Sequence, residues 1–122
     1  EFCKANGYTE TIVGRRRYIK EINSSNFMTR KLGERLAMNS PIQGSAADII
    51  KLAMISVYKA LKDCNLKSKL ILQIHDELII DTEIGEENQV SELLVNCMQN
   101  AMDLKVKLLS QLSTGRNWYE LK

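Results

Sequence analysis

Lys69-Leu-Ile-Leu-Gln-Ile-His-Asp-Glu-Leu-Ile-Ile-Asp-Thr82 sets two apolar arms around a polar centre of His75, Asp76 and Glu77. Arms of this length, rich in isoleucine and leucine, predict two strands, and the centre predicts the turn of a hairpin. The turn lacks the usual chemistry. A two-residue connection favours Asn-Gly, Asp-Gly or Gly-X, because its central residues take positive φ. Here the tip carries two acids and no glycine. Carboxylates about 5 Å apart repel by roughly 3 kcal/mol at an effective dielectric near 20. A divalent cation turns that repulsion into attraction, and hard oxygen donors on a tight turn suit Mg²⁺. The competing reading of the same three residues is a solvated turn or a structural ion pair, with the histidine packed on the sheet.

The chain outside the hairpin narrows the choice. At 122 residues it is one domain at most, long enough to bury well over half of its unfolded surface. No apolar run approaches the ~18 residues of a membrane span, and no signal peptide is visible, so no membrane partner is expected. Cys3, Cys64 and Cys97 are an odd, widely spaced set without Cys-x-x-Cys. They fit free thiols in a reducing compartment, and a cytoplasmic location is expected. The single histidine argues against a His-rich metal site. The net charge of +2 hides a segregation. Residues 1–40 hold eight Lys/Arg against four Asp/Glu, whereas residues 76–103 hold eight Asp/Glu and no Lys or Arg. That arrangement suits a polyanion gripped on one side and a cation held on the other, although a solvated acidic helix face produces the same pattern.

Residues 1–5 carry no helix start signal and Asn6-Gly7 is a helix stop, so the chain reads as an excerpt of something longer. Tyr8 to Ile22 alternates loosely around Val13-Gly14, a turn between two short strands. Arg15, Arg16 and Arg17 follow it. In a strand their side chains alternate faces, which lets one face meet phosphate while the middle arginine sits in an internal ion pair. A solvated surface hairpin is the alternative. Asn23–Asn26 is a polar loop. A short exposed helix is expected over Thr29–Met38, ended by Asn39-Ser40-Pro41, where a second helix starts.

Arg35, Asn39 and Gln43 stand four residues apart. On a continuous helical path they line one face with long hydrogen-bond donors. The minor groove of duplex DNA offers an acceptor on every base pair, so such a row tests duplex shape without reading sequence. A plain polar helix face is the other reading. From Ala46 to Leu61 the chain is nearly all apolar, with Asp48, Lys51, Lys59 and Lys62 as a narrow polar stripe broken by Ile55. This predicts a helix buried on most sides. Glu86 and Glu87 suit a helix N-terminus. Behind them Val90, Leu93, Leu94, Cys97, Met98, Ala101 and Met102 keep helical spacing, which predicts an amphipathic helix covering a sheet face. Val106–Leu112 reads as one more strand, broken by Gly115, with Trp118-Tyr119 as packing residues.

Three of these pieces, in this order, resemble the C-terminal part of family A DNA polymerases, the bacterial DNA polymerase I type. They are Thr9-Glu10-Thr11-Ile12-Val13-Gly14-Arg15-Arg16-Arg17-Tyr18, then Asn39-Ser40-Pro41-Ile42-Gln43-Gly44-Ser45-Ala46-Ala47-Asp48, then Gln73-Ile74-His75-Asp76-Glu77-Leu78. The resemblance runs over essentially the whole chain. It implies an α+β fold for residues 1–122, in which an antiparallel palm-type sheet with the acidic hairpin packs against two or three helices as part of a palm domain. By position, Asp76 matches the palm aspartate that ligates two catalytic Mg²⁺ ions, Glu77 an auxiliary acid beside them, and His75 a residue near the primer terminus. Arg35, Asn39 and Gln43 match side chains that track the primer-template minor groove. Primer-template DNA and dNTP are then the implied partners. The family often has proline near Lys20 and a glycine-containing tail where Ser113 stands; both departures fall outside the motifs.

In the family order, a second palm aspartate and the fingers helix that handles the incoming nucleotide lie upstream of these motifs. The expectation is therefore a parent enzyme that extends DNA and an isolated segment that does not. An unpaired hairpin edge also predicts self-association of the isolated segment. Two other classes compete: a non-catalytic nucleic-acid-binding α+β module, and a metal-dependent phosphodiesterase, for which the chain supplies no further recognisable ligand cluster.

Overall fold

Asn6-Gly7 does stop the first helix. In a computed structural model that describes residues 1–121, α1 spans Phe2–Asn6 and Gly7 closes it at φ +77°, its N–H donating to the Cys3 carbonyl. The architecture is α+β: the described residues form three α-helices and two small antiparallel sheets, in two compact units, Glu1–Asp48 and the residues from Ile49 onward.

In the first unit β1 (Tyr8–Glu10) pairs with β2 (Arg16–Tyr18), setting Tyr8 opposite Tyr18, Thr9 opposite Arg17 and Glu10 opposite Arg16. The turn between them is closed by the Thr11 N–H on the Arg15 carbonyl at 2.9 Å. A 3₁₀ turn over Lys20–Asn23 leads to the long helix α2 (Phe27–Asp63), whose start is capped by the Asn26 side chain accepting the Thr29 N–H. Cys3, Ile19 and Ile22 form this unit's core with Leu36 and Ala37 of α2. Gly33 permits the packing. A Cβ there would stand 2.7 Å from the backbone of Glu21 and Ile22.

The expected break at Asn39-Ser40-Pro41 does not occur: α2 runs through Pro41. Local signals there favour a stop and a fresh start, and proline removes one helical hydrogen bond. Contacts from the β1–β2 turn, described below, meet α2 just after the proline, at Gly44, Ser45 and Asp48.

In the second unit β3 (Lys69–Ile74) and β4 (Glu77–Asp81) form the predicted hairpin, with a register shift between Leu70 and Leu72 that leaves Ile71 as an extra residue. Helix α3 (Glu87–Gln99) follows. Ile50, Ala53, Val57 and Leu61 of α2, Leu78 of β4 and Val90 of α3 make the core, with Leu93, Leu94, Cys97 and Met98 packed on it. The α3 spacing is matched by burial from Val90 to Met98, whereas Ala101 and Met102 lie past the helix end at Gln99. The α2 reading is only half matched. Its apolar residues bury one stripe, and Leu52, Ile55 and Tyr58 are exposed. Val106–Leu112 is not a strand; it is irregular. Strand propensity produces a strand only where a neighbouring ladder accepts it, and among the described residues the sheet holds β3 and β4 alone.

Candidate metal and nucleic-acid sites

Ile74 pairs with Glu77, so the hairpin turn consists of His75 and Asp76, and Glu77 is the first residue of β4. Shape replaces the missing glycine at a cost. His75 takes φ +51°, a left-handed conformation worth about 1 kcal/mol of strain for a non-glycine residue. The Gln73 side chain steadies it, Nε2 donating to the His75 carbonyl at 2.7 Å. His75, Asp76 and Glu77 are all exposed. Beside them opens a cleft of about 450 Å³, lined among others by Asp76, Glu77, Met98, Gln111 and Trp118. The carboxylates are hard donors on consecutive residues, and Mg²⁺ is commonly held by one or two carboxylates completed by water and phosphate oxygens. The donor set therefore fits that ion. Among the described residues no cluster of three or more His, Cys, Asp or Glu is placed to hold a metal.

The root of the hairpin is locked by another acid. Glu86 accepts the N–H groups of Lys67 and Ser68, both at 3.0 Å, and the Ser68 hydroxyl at 2.6 Å. The Ser68 hydroxyl also accepts the Glu83 N–H. These donors, the Lys67 N–H foremost, hold the Glu86 carboxyl below its ordinary range.

In the first unit, continuity of α2 puts Arg35, Asn39 and Gln43 on one helical stripe, and all three are exposed. The three arginines separate by role. Arg15 donates Nε to the buried Asp48 carboxylate at 2.8 Å and Nη2 to the Gly44 carbonyl at 3.3 Å. Arg16 is paired with Glu10 at 2.8 Å across the sheet and lies over the Tyr8 ring. Arg17 makes no ion pair or side-chain hydrogen bond with the described residues. It lines a cleft of about 220 Å³ with Thr9, Arg15, Ser40, Gln43 and Gly44. Nearby, Glu34 is held by Lys31 and Lys4, each at 3.0 Å, which lowers its carboxyl to about 2.

Sequence reading missed the supporting contacts. Asp48 looks like part of a solvated stripe, yet its partner lies 33 residues away and no local pattern announces it. Ser45 looks like an ordinary helical serine, yet its hydroxyl accepts the Ile12 N–H at 2.9 Å and donates to the Pro41 carbonyl. Only Gln73, two residues before His75, had a signal, as a polar residue in an otherwise apolar arm.

Comparison with known proteins gives the family of the chain. The model of DNA polymerase family A matches residues 1–120. DNA polymerase I of Caldicellulosiruptor bescii is 54% identical over 122 residues, which is 100% of this chain and 14% of that protein. DNA polymerase I of Borreliella burgdorferi is 48% identical over 120 residues, 98% of this chain and 13% of that protein. A solved structure, the POL domain of Pol1 from M. smegmatis in complex with DNA primer-template and dNTP, matches with a TM-score of 0.95 at 47% identity, covering 98% of this chain and 21% of that one. The chain thus spans a small part of its relatives' length. With a family match over nearly every residue and these levels of identity, the chain belongs to DNA polymerase family A.

Proposed function

We propose that this chain is the C-terminal part of the palm domain of a template-directed DNA polymerase, acting in the cytoplasm on primer-template DNA and dNTP. The parent enzyme joins a nucleotide to the primer 3′-hydroxyl with two Mg²⁺ ions. The observation that carries this reading is the pair of exposed carboxylates, Asp76 and Glu77, at the hairpin turn of a family A chain. Asp76 is the metal-ligating acid, with Glu77 as its auxiliary. When bound, Mg²⁺ supplies charge neutralisation and activation of the attacking hydroxyl. The chain's own residues do the positioning. His75 lies beside the primer terminus, on a turn fixed by Gln73. Arg35, Asn39 and Gln43 donate to minor-groove acceptors, which every correct base pair presents in the same place. Of Arg15, Arg16 and Arg17, the last meets phosphate, since Arg15 is engaged by Asp48 and Gly44 and Arg16 by Glu10. Such placement matters because phosphoryl transfer depends on in-line alignment within a fraction of an ångström. Alone, the 122 residues supply an incomplete ligand set and do not extend primers.

The test is primer extension by the parent polymerase. Asp76→Ala should lower the rate by at least about 100-fold, the scale of removing one group that stabilises developing charge, with primer-template affinity nearly unchanged. Undiminished synthesis by that variant would overturn the proposal. A Mg²⁺ titration monitored at the His75–Glu77 amides separates this reading from a non-catalytic binding module, which predicts no local shifts.

A further inference from the structure

Two residues before Gln43, Pro41 has no N–H to give the preceding helical turn, so α2 is weakest where a groove contact needs most definition. The opposite side of that turn is gripped from the β1–β2 turn at three residues, Gly44, Ser45 and Asp48. Pro41, Gly44, Ser45 and Asp48 follow i, i+3, i+4, i+7 and share a face. The Pro41 carbonyl accepts the Ser45 hydroxyl, which in turn accepts the Ile12 N–H at 2.9 Å. The Gly44 carbonyl accepts Arg15 Nη2 at 3.3 Å, and Thr11 fills the space a side chain at Gly44 would need, 2.7 Å from its Cβ position. Asp48, with a side chain only 8% exposed, accepts Arg15 Nε at 2.8 Å.

We infer that Arg15 and Asp48, with Ser45, are positioning residues that hold Gln43 in register with the minor groove across the proline gap. The inference rests on the reading of Gln43 as a groove contact. Two features set this apart from simple anchoring of the β1–β2 turn. Arg15 reaches the carbonyl of Gly44, the residue next to Gln43, and the same guanidinium joins one half-exposed arginine to one buried acid. Without the fork of Arg15, the turn carrying Gln43 is free to bend at Pro41, and the amide loses its aim at an acceptor only a few ångströms wide. The Gln43 side chain itself is exposed and shares its cleft with Arg15, so a shift of that turn reaches the groove face directly.

The experiment uses the full-length polymerase and two primer-templates that differ at one atom: a terminal guanine, or 3-deazaguanine, whose C–H replaces the N3 acceptor. The wild-type enzyme should extend the deaza primer about ten-fold more slowly, the factor of one well-placed hydrogen bond. Gln43→Ala should extend both equally. The paired change Arg15→Gln with Asp48→Asn removes the contact without stranding a buried charge, and should shrink the ratio to less than about three-fold by releasing Gln43. Ser45→Ala, which keeps a strong helix former in place, should shrink it as well and serves if the paired variant does not fold. A folded paired variant, or Ser45→Ala, that keeps the full ratio overturns the positioning role while leaving the Gln43 reading intact. A wild-type ratio of one, or a ratio preserved in Gln43→Ala, overturns the Gln43 reading and the inference with it.

Discussion

Gln73 reaches over the hairpin turn to His75, donating its side-chain amide to a carbonyl whose own residue sits at φ +51°. A strained turn keeps one conformation only while its surroundings over-determine it. Gln73→Ala should therefore cost at most about 1 kcal/mol of stability, as for one exposed hydrogen bond. It should speed amide exchange at Ile74 and Glu77 and lower primer extension by the parent enzyme. Unchanged exchange at the turn would show that the amide contributes nothing to it.

Arg16 and Arg17 are neighbours with different prospects. Arg17→Ala should weaken primer-template binding and reduce the slope of log affinity against log salt by about one, as expected for a lost phosphate contact. Arg16→Ala, which first removes a pair with Glu10, should change the slope less. Equal slopes for the two variants would contradict the division.

Glu34 makes a small contribution to the acid stability of the first unit. Its folded carboxyl titrates at about 2, below an ordinary 4.5, because Lys31 and then Lys4 favour the charged form. A depressed carboxyl stabilises the fold above the unfolded value and loses that contribution as pH falls toward the folded one. Stability should decline between roughly pH 4.5 and 2 for this reason, and Glu34→Gln should flatten that part of the curve in urea unfolding measured against pH. A variant curve parallel to the wild type would rule the pair out as a contributor.

The second unit leaves Leu52, Ile55 and Tyr58 of α2 and Ile71 and Leu72 of β3 exposed. Free strand edges and apolar patches invite pairing, so the 122 residues expressed alone should self-associate. Sedimentation of a clean monomer at high concentration would count against this.

The hairpin was legible because two short apolar, isoleucine-rich arms flank a polar centre, and α3 because Val90, Leu93, Leu94, Cys97 and Met98 keep helical spacing. The continuity of α2 was hidden. Pro41 carries the local marks of a boundary, and the contacts that meet the helix just after it come from Ile12 and Arg15, far away in sequence. Val106–Leu112 failed for a related reason: a strand is a property of two segments, and the residues themselves report only one. The acid pair was visible as residue types, while the support from Gln73 needed the register of the turn.

One consequence lies in the Glu86 lock. A carboxylate that ties Lys67 and Ser68 to the start of α3 clamps the hairpin at its root, while buried Leu78, next to Glu77, supports it near the acids. Six residues of β3 give an arm of about 20 Å. A tilt of some 5° at the clamp would swing the tip by nearly 2 Å, beyond the roughly 1 Å misplacement that already costs about 100-fold in rate. On the proposed reading of Asp76, Glu86 at the far end of the arm would limit how far that carboxylate strays.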